Sequence, residues 1–266
     1  MAAYSVGVSL RRTWRLFDYW ASVFRRTWRG GAISSFVTPL LYILSLGVIL
    51  GRFVHTSPAQ MDGAGTYLQF VAPGMVASQA MTGMFGEFTY GAFGRIQWDK
   101  SYFSMMATPL TVAEIALGHV LFALFRTLLS CGVFFVVMSP FHAFRSVGGV
   151  LLALVVQLLI ALAFATPLFA IAATVRTENV FNLVFRLAMT PLFLFSGGFF
   201  PITNLPGWLQ WIARVTPLWH GVDLTRMLVL GHVDAARALV HVAYLVALTL
   251  AGWWLLVRQL TRRMVT

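Results

Sequence analysis

One stretch of eight residues comes close to a nucleotide-binding motif. Residues 94–101 (GRIQWDKS) match the phosphate-binding pattern G-x-x-x-x-G-K-[ST] except at its second glycine. That glycine lets backbone amides wrap a phosphate, whereas Asp99 would place a carboxylate against an anionic ligand. An apolar segment rather than a β-strand precedes the motif. We therefore expect neither nucleotide nor any other cofactor to bind this chain.

The other chemistry-bearing residues form no catalytic or metal-binding pattern. The six histidines include no HExxH pair, and none lies at ligand spacing from a cysteine. Ser196 lacks the preceding glycine of an intramembrane serine protease, and the single cysteine, Cys131, is expected to be an inert apolar side chain. His220, Asp223 and Arg226 share one face of a short predicted helix, which we interpret as a solvated polar face. No enzyme chemistry is predicted.

Three charged side chains fall inside predicted membrane segments, namely Glu87, Arg126 and Arg186. A charge at the centre of a membrane helix costs roughly 2.5–3.5 kcal/mol on insertion scales, so each needs a partner or a wet cavity. Glu87 and Arg186 both fall near the inner ends of their helices, and we predict an ion pair between them. Arg126 lies deeper, and two alternatives remain open for it, a polar pathway or a helix interface.

The composition indicates that all of these residues belong to a membrane protein. Hydrophobic residues make up 59% and charged residues 10% of the 266, against roughly 45–50% and about 25% in soluble domains. Crossing a bilayer takes about 20 apolar residues. Six segments of this length occur, at 32–51, 67–91, 115–138, 147–175, 180–200 and 238–257. We therefore predict an all-α membrane protein with six transmembrane helices.

The distribution of positive charge predicts how the chain is oriented. A net charge of +11 would suggest nucleic-acid binding in a soluble protein. Here the cations lie between apolar segments, and we interpret them as determinants of orientation, with no nucleic-acid partner. With the N-terminus inside, the inner segments carry more Arg and Lys than the outer ones. This bias places both termini in the cytoplasm.

We predict that residues 1–31 form an amphipathic helix in the inner membrane interface and that residues 32–266 form the transmembrane domain. Apolar residues recur at spacings of three and four, with arginines on the other face. The aromatic members of this apolar face are Trp14, Phe17, Phe24 and Trp28. Two roles remain open, that of a topology anchor and that of a docking site for a cytoplasmic partner.

The inner loop at 93–109 combines aromatic and charged residues, a composition typical of a protein-docking helix. Thr111 and Glu114 follow as a T-x-x-E capping box that begins the next helix. We predict that aromatic side chains of this loop make the contact and that charged ones set its electrostatic fit. The residues are Arg95, Trp98, Asp99, Lys100, Tyr102 and Phe103.

Two further patterns concern packing. The segment 201–237 is too long for a tight turn, and its apolar runs predict short re-entrant helices that dip into the outer leaflet. The second apolar segment has a small residue at every fourth position, which allows another helix to approach closely. These residues are Gly74, Ser78, Thr82 and Gly86. This stripe fits the centre of the bundle and a dimer interface equally well.

Five motifs then occur in order along most of the chain. They are 67–74 (YLQFVAPG), 107–110 (ATPL), 190–201 (TPLFLFSGGFFP), 205–209 (LPGWL) and 216–222 (TPLWHGV). Together they resemble the permease subunits of type-2 ABC exporters, particularly the NodJ-like lipo-oligosaccharide branch and the drug exporters of the daunorubicin type.

The resemblance implies a homodimer of permeases in the bacterial cytoplasmic (inner) membrane. Each copy would bind a separate ABC ATPase subunit, which carries the ATP and Mg²⁺, through a coupling helix in loop 93–109. The implied cargo is an amphiphile: a lipo-oligosaccharide, a lipid-linked glycan or a hydrophobic drug. From the residues alone, an ion-coupled secondary carrier and a membrane-embedded transferase remain alternatives. The first would need ionisable midplane residues in an inverted repeat, and the second would need converging catalytic groups.

Overall fold

A computed structural model describes residues 8–42, 44–45 and 61–265, and all regular elements within these ranges are helical. Eleven α-helices are described there. In chain order they are α1 (Leu10–Tyr42), α2 (Tyr67–Gly86), α3 (Ala92–Gln97), α4 (Ser101–Met106), α5 (Val112–Met138), α6 (Val147–Thr174), α7 (Asn179–Val184), α8 (Thr190–Phe195), α9 (Gly207–Val215), α10 (Pro217–Leu230) and α11 (Ala235–Val265). The predicted all-α class is confirmed for this part of the chain.

Three of the described helical segments are long and apolar enough to cross a membrane: Val112–Phe141, Val147–Thr174 and Ala235–Val265. They correspond to the predicted segments 115–138, 147–175 and 238–257. The predicted segment 67–91 is also helical, and 180–200 contains the shorter apolar helix Asn179–Phe195. The predicted segment 32–51 begins within α1, and residues 46–51 lie outside the described ranges.

Within residues 61–265, two π-helical turns connect neighbouring helices. Glu87–Gly91 connects α2 to α3, and Phe185–Met189 connects α7 to α8. A π-turn changes the direction of the side chains that follow it and is frequent at functional sites. The two turns lie side by side, because the ring of Phe185 contacts those of Phe85 and Tyr90 at centroid distances of 5.7 and 5.9 Å. The sequence pattern does not indicate either turn.

Helix α1 runs through the predicted boundary at residue 31 without a break. Its first half packs along α5, where Leu16 and Trp20 are buried. The rings of Phe17 and Phe24 contact Phe122 of α5. The exposed aromatic side chains include Trp14 and Trp28. The packed face is therefore centred on Leu16 and Trp20, to one side of the predicted apolar face.

The predicted capping box at the start of α5 is confirmed. The Thr111 hydroxyl accepts the Glu114 N–H, and Glu114 Oε2 accepts the Thr111 N–H at 2.8 Å. Glu114 Oε1 also accepts the Ser9 backbone N–H and the Nε–H of Arg12, each at 2.8 Å. One buried carboxylate therefore joins the start of α1 to the start of α5.

The small-residue stripe of α2 divides into two parts. Gly74 lies against Gly198, and a Cβ on Gly74 would overlap the Gly198 backbone. Ser78 is also buried, and Thr82 is half-buried. Gly86 is exposed and has open space where a Cβ would lie. The first part of the stripe therefore packs within the chain.

Candidate functional site

Loop 93–109 folds as two short helices, α3 and α4, around a sharp bend. Lys100 forms the bend with φ of 52°, in the left-handed region that non-glycine residues seldom adopt. Asp99 and Lys100 are exposed. Trp98 is 57% exposed and Phe103 is 38% exposed. These four side chains give the loop an accessible outer surface of mixed aromatic and charged character.

A cluster of polar side chains lies beneath this loop. Glu87 Oε1 accepts a hydrogen bond from Arg95 Nη1 at 2.9 Å and lies 2.7 Å from His119 Nε2. Glu87 Oε2 accepts one from Arg126 Nη1 at 2.6 Å. Tyr102 Oη lies 2.6 Å from the other ring nitrogen of His119. We call these five residues the Glu87 cluster. They come from the π-turn, α3, α4 and α5, so the cluster connects four successive elements, with α4 joined through His119.

The partners of His119 determine which of its nitrogens carries the proton. Burial raises the pKa of the Tyr102 hydroxyl, which therefore stays protonated and donates to Nδ1. Nε2 then carries the ring proton and donates a hydrogen bond to Glu87 Oε1. The imidazole also stacks on Trp20 at 5.1 Å, and the Arg95 guanidinium lies 4.5 Å from the centre of the same indole. Helix α1 is thereby attached to the Glu87 cluster.

Two predictions about these charged and aromatic residues were wrong. Glu87 does not pair with Arg186, because the neighbouring Phe185 is the side chain that faces α2, and Arg186 points away and is exposed. Tyr102 cannot provide a docking contact, because its side chain is completely buried. Its ring anchors α4 to α5 instead. Arg126, whose role the sequence left open, pairs with Glu87 where α5 meets the π-turn.

A second polar cluster lies at the opposite end of α2. Arg226 of α10 is 4% exposed, and its Nη1 donates to Asp62 Oδ2 at 2.9 Å. Its Nη2 donates to the carbonyl oxygen of Gly197 at 2.7 Å, and Nε and Nη2 both reach the carbonyl of Phe70 at 3.4 Å. The guanidinium also lies 4.0 Å from the centre of the Phe70 ring. We call Arg226, Asp62, Phe70 and Gly197 the Arg226 cluster.

The predicted solvated face on α10 was also wrong. His220 and Arg226 are buried, and Asp223 is partly buried. His220 Nδ1 lies 2.7 Å from His241 Nδ1, and His241 Nε2 lies 2.9 Å from Asp223 Oδ2. These contacts attach α10 to α11. Within the described ranges, no group of three His, Cys, Asp or Glu residues is arranged to hold a metal ion.

Sequence reasoning missed His119 and Trp20, which both belong to the surroundings of Glu87. One signal was available for His119. It precedes Arg126 by seven residues, or two helical turns, so the two side chains share a face of α5. No comparable signal marked Trp20, because its tertiary partner lies about a hundred residues further along the chain.

These features define an α-helical integral membrane protein in which polar clusters lie at both ends of one helix. Comparison with known families identifies its class. The ABC-2 type transporter family matches residues 10–230. The chain therefore belongs to the ABC-2 type transporter family, and it is an ABC transporter permease.

Individual relatives agree with this assignment. Nodulation protein J of Rhizobium leguminosarum bv. trifolii is 33% identical over 254 residues, which cover 92% of this chain and 94% of the relative. Nodulation protein J of Rhizobium meliloti (strain 1021) is 32% identical over 84% of each chain. The inner membrane transport permease YadH of Escherichia coli (strain K12) is 24% identical over 88% of this chain and 90% of that protein. The resemblance to NodJ-like permeases is thus confirmed.

Proposed function

We propose that this chain is the membrane-spanning subunit of an ATP-driven exporter for an amphiphile. In this proposal two copies form a homodimer in the bacterial inner membrane, with both termini in the cytoplasm. Each copy binds a separate ABC ATPase, which holds the ATP and Mg²⁺. Membership of the ABC-2 type transporter family supports the ATPase partner, and the name of one relative, the inner membrane transport permease YadH, supports transport and the inner membrane.

The six-helix arrangement belongs to the same proposal. The spans are the predicted segment 32–51, which begins within α1, followed by α2 with its π-turn, α5, α6, α7 with α8, and α11. The apolar character of α5, α6 and α11 supports three of these directly. In the same proposal the nine-residue α9 lies in the outer membrane interface, because its exposed side chains are mostly apolar. They are Trp208, Trp211, Ile212 and Val215.

The observation that carries the proposal is the arrangement of loop 93–109 above the Glu87 cluster. Trp98 and Phe103 are available to an ATPase on the outside of the loop. Arg95, in the same loop, binds Glu87 on the inside. A movement of the loop must therefore act on α1, α2 and α5 through contacts that are already made. Coupling to ATP hydrolysis also requires that some contacts differ between two conformations of the permease. The side chains that share the Glu87 carboxylate can supply this difference by exchanging partners.

Alanine substitution on the outer surface of the loop tests the docking part of the proposal. We expect the double variant Trp98→Ala and Phe103→Ala to lose co-purification of the ATPase. If the ATPase still binds, it should hydrolyse ATP without driving transport. The chain itself should stay folded, because both side chains are exposed. Trp208→Ala is the matched control, since Trp208 is 67% exposed on α9, outside the loop. Full ATPase binding and transport in the double variant would contradict the proposal.

The cargo requires its own experiment. We propose a lipo-oligosaccharide, a lipid-linked glycan or a hydrophobic drug. The permease and its ATPase, reconstituted together in proteoliposomes, should hydrolyse ATP faster when the correct amphiphile is present. Transport driven by an ion gradient without ATP would instead indicate a secondary carrier.

A further inference from the structure

A cavity of about 420 Å³ lies between α1, α2 and α5, next to the Glu87 cluster. Its size falls within the usual range for ligand pockets. Arg126 forms part of its wall, and this side chain is 47% exposed, so the cavity opens to the outside of the chain. Arg25 of α1 and Glu87 also line it. Three charged side chains in its wall set the electrostatic character of this cavity.

The charges of the cavity favour an anion. Among the described residues that line it, Glu87 is the only carboxylate, and it already contacts Arg95, His119 and Arg126. A guanidinium has five N–H donors, and Arg126 uses one of them on Glu87. Arg25 is exposed and makes no ion pair within the ranges that the structure describes. Donors on two arginines are therefore left for a ligand of opposite charge.

The remaining wall is largely apolar, which favours an amphiphile over a small inorganic anion. Phe24, Trp28 and Met84 form part of it, together with Leu129 and Val133 of α5. Aromatic and aliphatic side chains beside guanidinium groups match the junction between a charged headgroup and an acyl chain. The cavity is too small for a whole diacyl lipid, so the chains would follow the exposed apolar side chains of α1 and α5.

We propose that this cavity binds an anionic phospholipid through its phosphate. Arg25 and Arg126 hold the phosphate, and the start of the acyl chains lies against Phe24 and Trp28. All of these residues belong to this chain, so binding requires neither the ATPase nor the export reaction proposed above.

The test uses the full-length chain in mild detergent and measures retained lipid by native mass spectrometry. The probes are phosphatidylglycerol and phosphatidylcholine, with inorganic phosphate as a soluble competitor. Arg25→Gln removes one phosphate ligand without disturbing Glu87, and its control is Arg26→Gln, an exposed neighbour that does not line the cavity. Gly83→Leu fills the cavity from α2, where a new side chain meets open space. Its control is Gly86→Leu, which also meets open space but does not line the cavity.

We expect Arg25→Gln to weaken phosphatidylglycerol binding roughly tenfold, the loss expected for one charge-assisted contact. Gly83→Leu should also weaken it, because the new side chain would occupy the cavity. The two controls should bind as the unmodified chain does, and phosphatidylcholine should bind more weakly throughout. Three results would overturn the proposal. The first is equal binding of phosphatidylglycerol and phosphatidylcholine, and the second is full displacement of the lipid by inorganic phosphate. The third is unchanged lipid binding in Arg25→Gln and Gly83→Leu, accompanied by loss of the dimer. The last would show that a second copy of the chain occupies the cavity.

Discussion

The Glu87 cluster and the Arg226 cluster lie at opposite ends of α2 and stabilise buried charge in different ways. In the Glu87 cluster, one carboxylate is shared by two arginines and a histidine, all through side chains. In the Arg226 cluster, one guanidinium is held by two backbone carbonyls and a single carboxylate. Side chains that share a carboxylate can exchange partners when helices shift, whereas carbonyls move only with the backbone.

The local backbone structure also differs between the Glu87 cluster and the Arg226 cluster. Glu87 begins a π-turn, and two members of its cluster, Arg95 and Tyr102, lie on either side of the bend at Lys100. The Arg226 cluster instead lies beside the contact of Gly74 with Gly198, where the two backbones touch. We infer that the first cluster transmits movement and that the second fixes the packing of α2, α10 and the segment after α8. The predictions below separate these roles.

The largest effect is expected from Glu87→Gln. Removing the shared charge leaves Arg95 and Arg126 without their carboxylate. Breaking a fully buried ion pair costs about 3–5 kcal/mol, and we expect the lower part of that range because the Arg126 side chain is 47% exposed. Unfolding in mixed micelles of mild detergent and SDS would measure this change. Glu178→Gln, at an exposed carboxylate, is the control and should have almost no effect. A Glu87→Gln variant of normal stability and normal transport would contradict the role of the cluster.

Arg226→Met is expected to have the next largest effect. It leaves the Gly197 carbonyl oxygen without the Arg226 donor and removes the hydrogen bonds to Asp62 and Phe70, at roughly 3 kcal/mol in total. The same unfolding assay applies, with Arg237→Met at an exposed position as control. Because this cluster fixes packing, the folded fraction should still couple ATP hydrolysis to transport. Uncoupled hydrolysis in Arg226→Met would remove the distinction between the clusters.

A smaller effect is expected from Gly74→Ala. The new Cβ would overlap the Gly198 backbone and force the helices apart, at a cost of roughly 2 kcal/mol. Gly86→Ala is a matched control on the same helix, because its Cβ meets open space. It should be neutral or slightly stabilising. Equal loss of stability in the two variants would show that the contact at Gly74 is not close.

The smallest effect is expected from Tyr102→Phe, which keeps the ring but removes the hydrogen bond to His119. The loss should be about 1 kcal/mol. Tyr19→Phe is the control, because Tyr19 is 49% exposed. If the Glu87 cluster transmits movement, Tyr102→Phe should also lower the ratio of transport to ATP hydrolysis. An unchanged ratio would limit Tyr102 to anchoring α4.

Much of the local structure could be predicted because its signals lie close together in the chain. The capping box at Thr111 and Glu114 spans three residues, and the apolar segments of α5, α6 and α11 need only their own composition. The partners of Glu87 could not be predicted in this way. They depend on the π-turn, which changes the direction of the side chain, and on which face of α5 lies opposite it.

The sequence by itself determined the class of protein, the three long apolar helices α5, α6 and α11, and the family, because composition, apolar length and ordered motifs are properties of the chain alone. The tertiary structure decided which charges are paired. Arg126 and Arg186 are both single arginines in apolar segments, yet one binds Glu87 and the other is exposed. The physical reason is that the energy of a charge in a membrane protein depends on the groups within a few ångströms of it. Helix rotation and packing determine those groups, and sequence spacing does not.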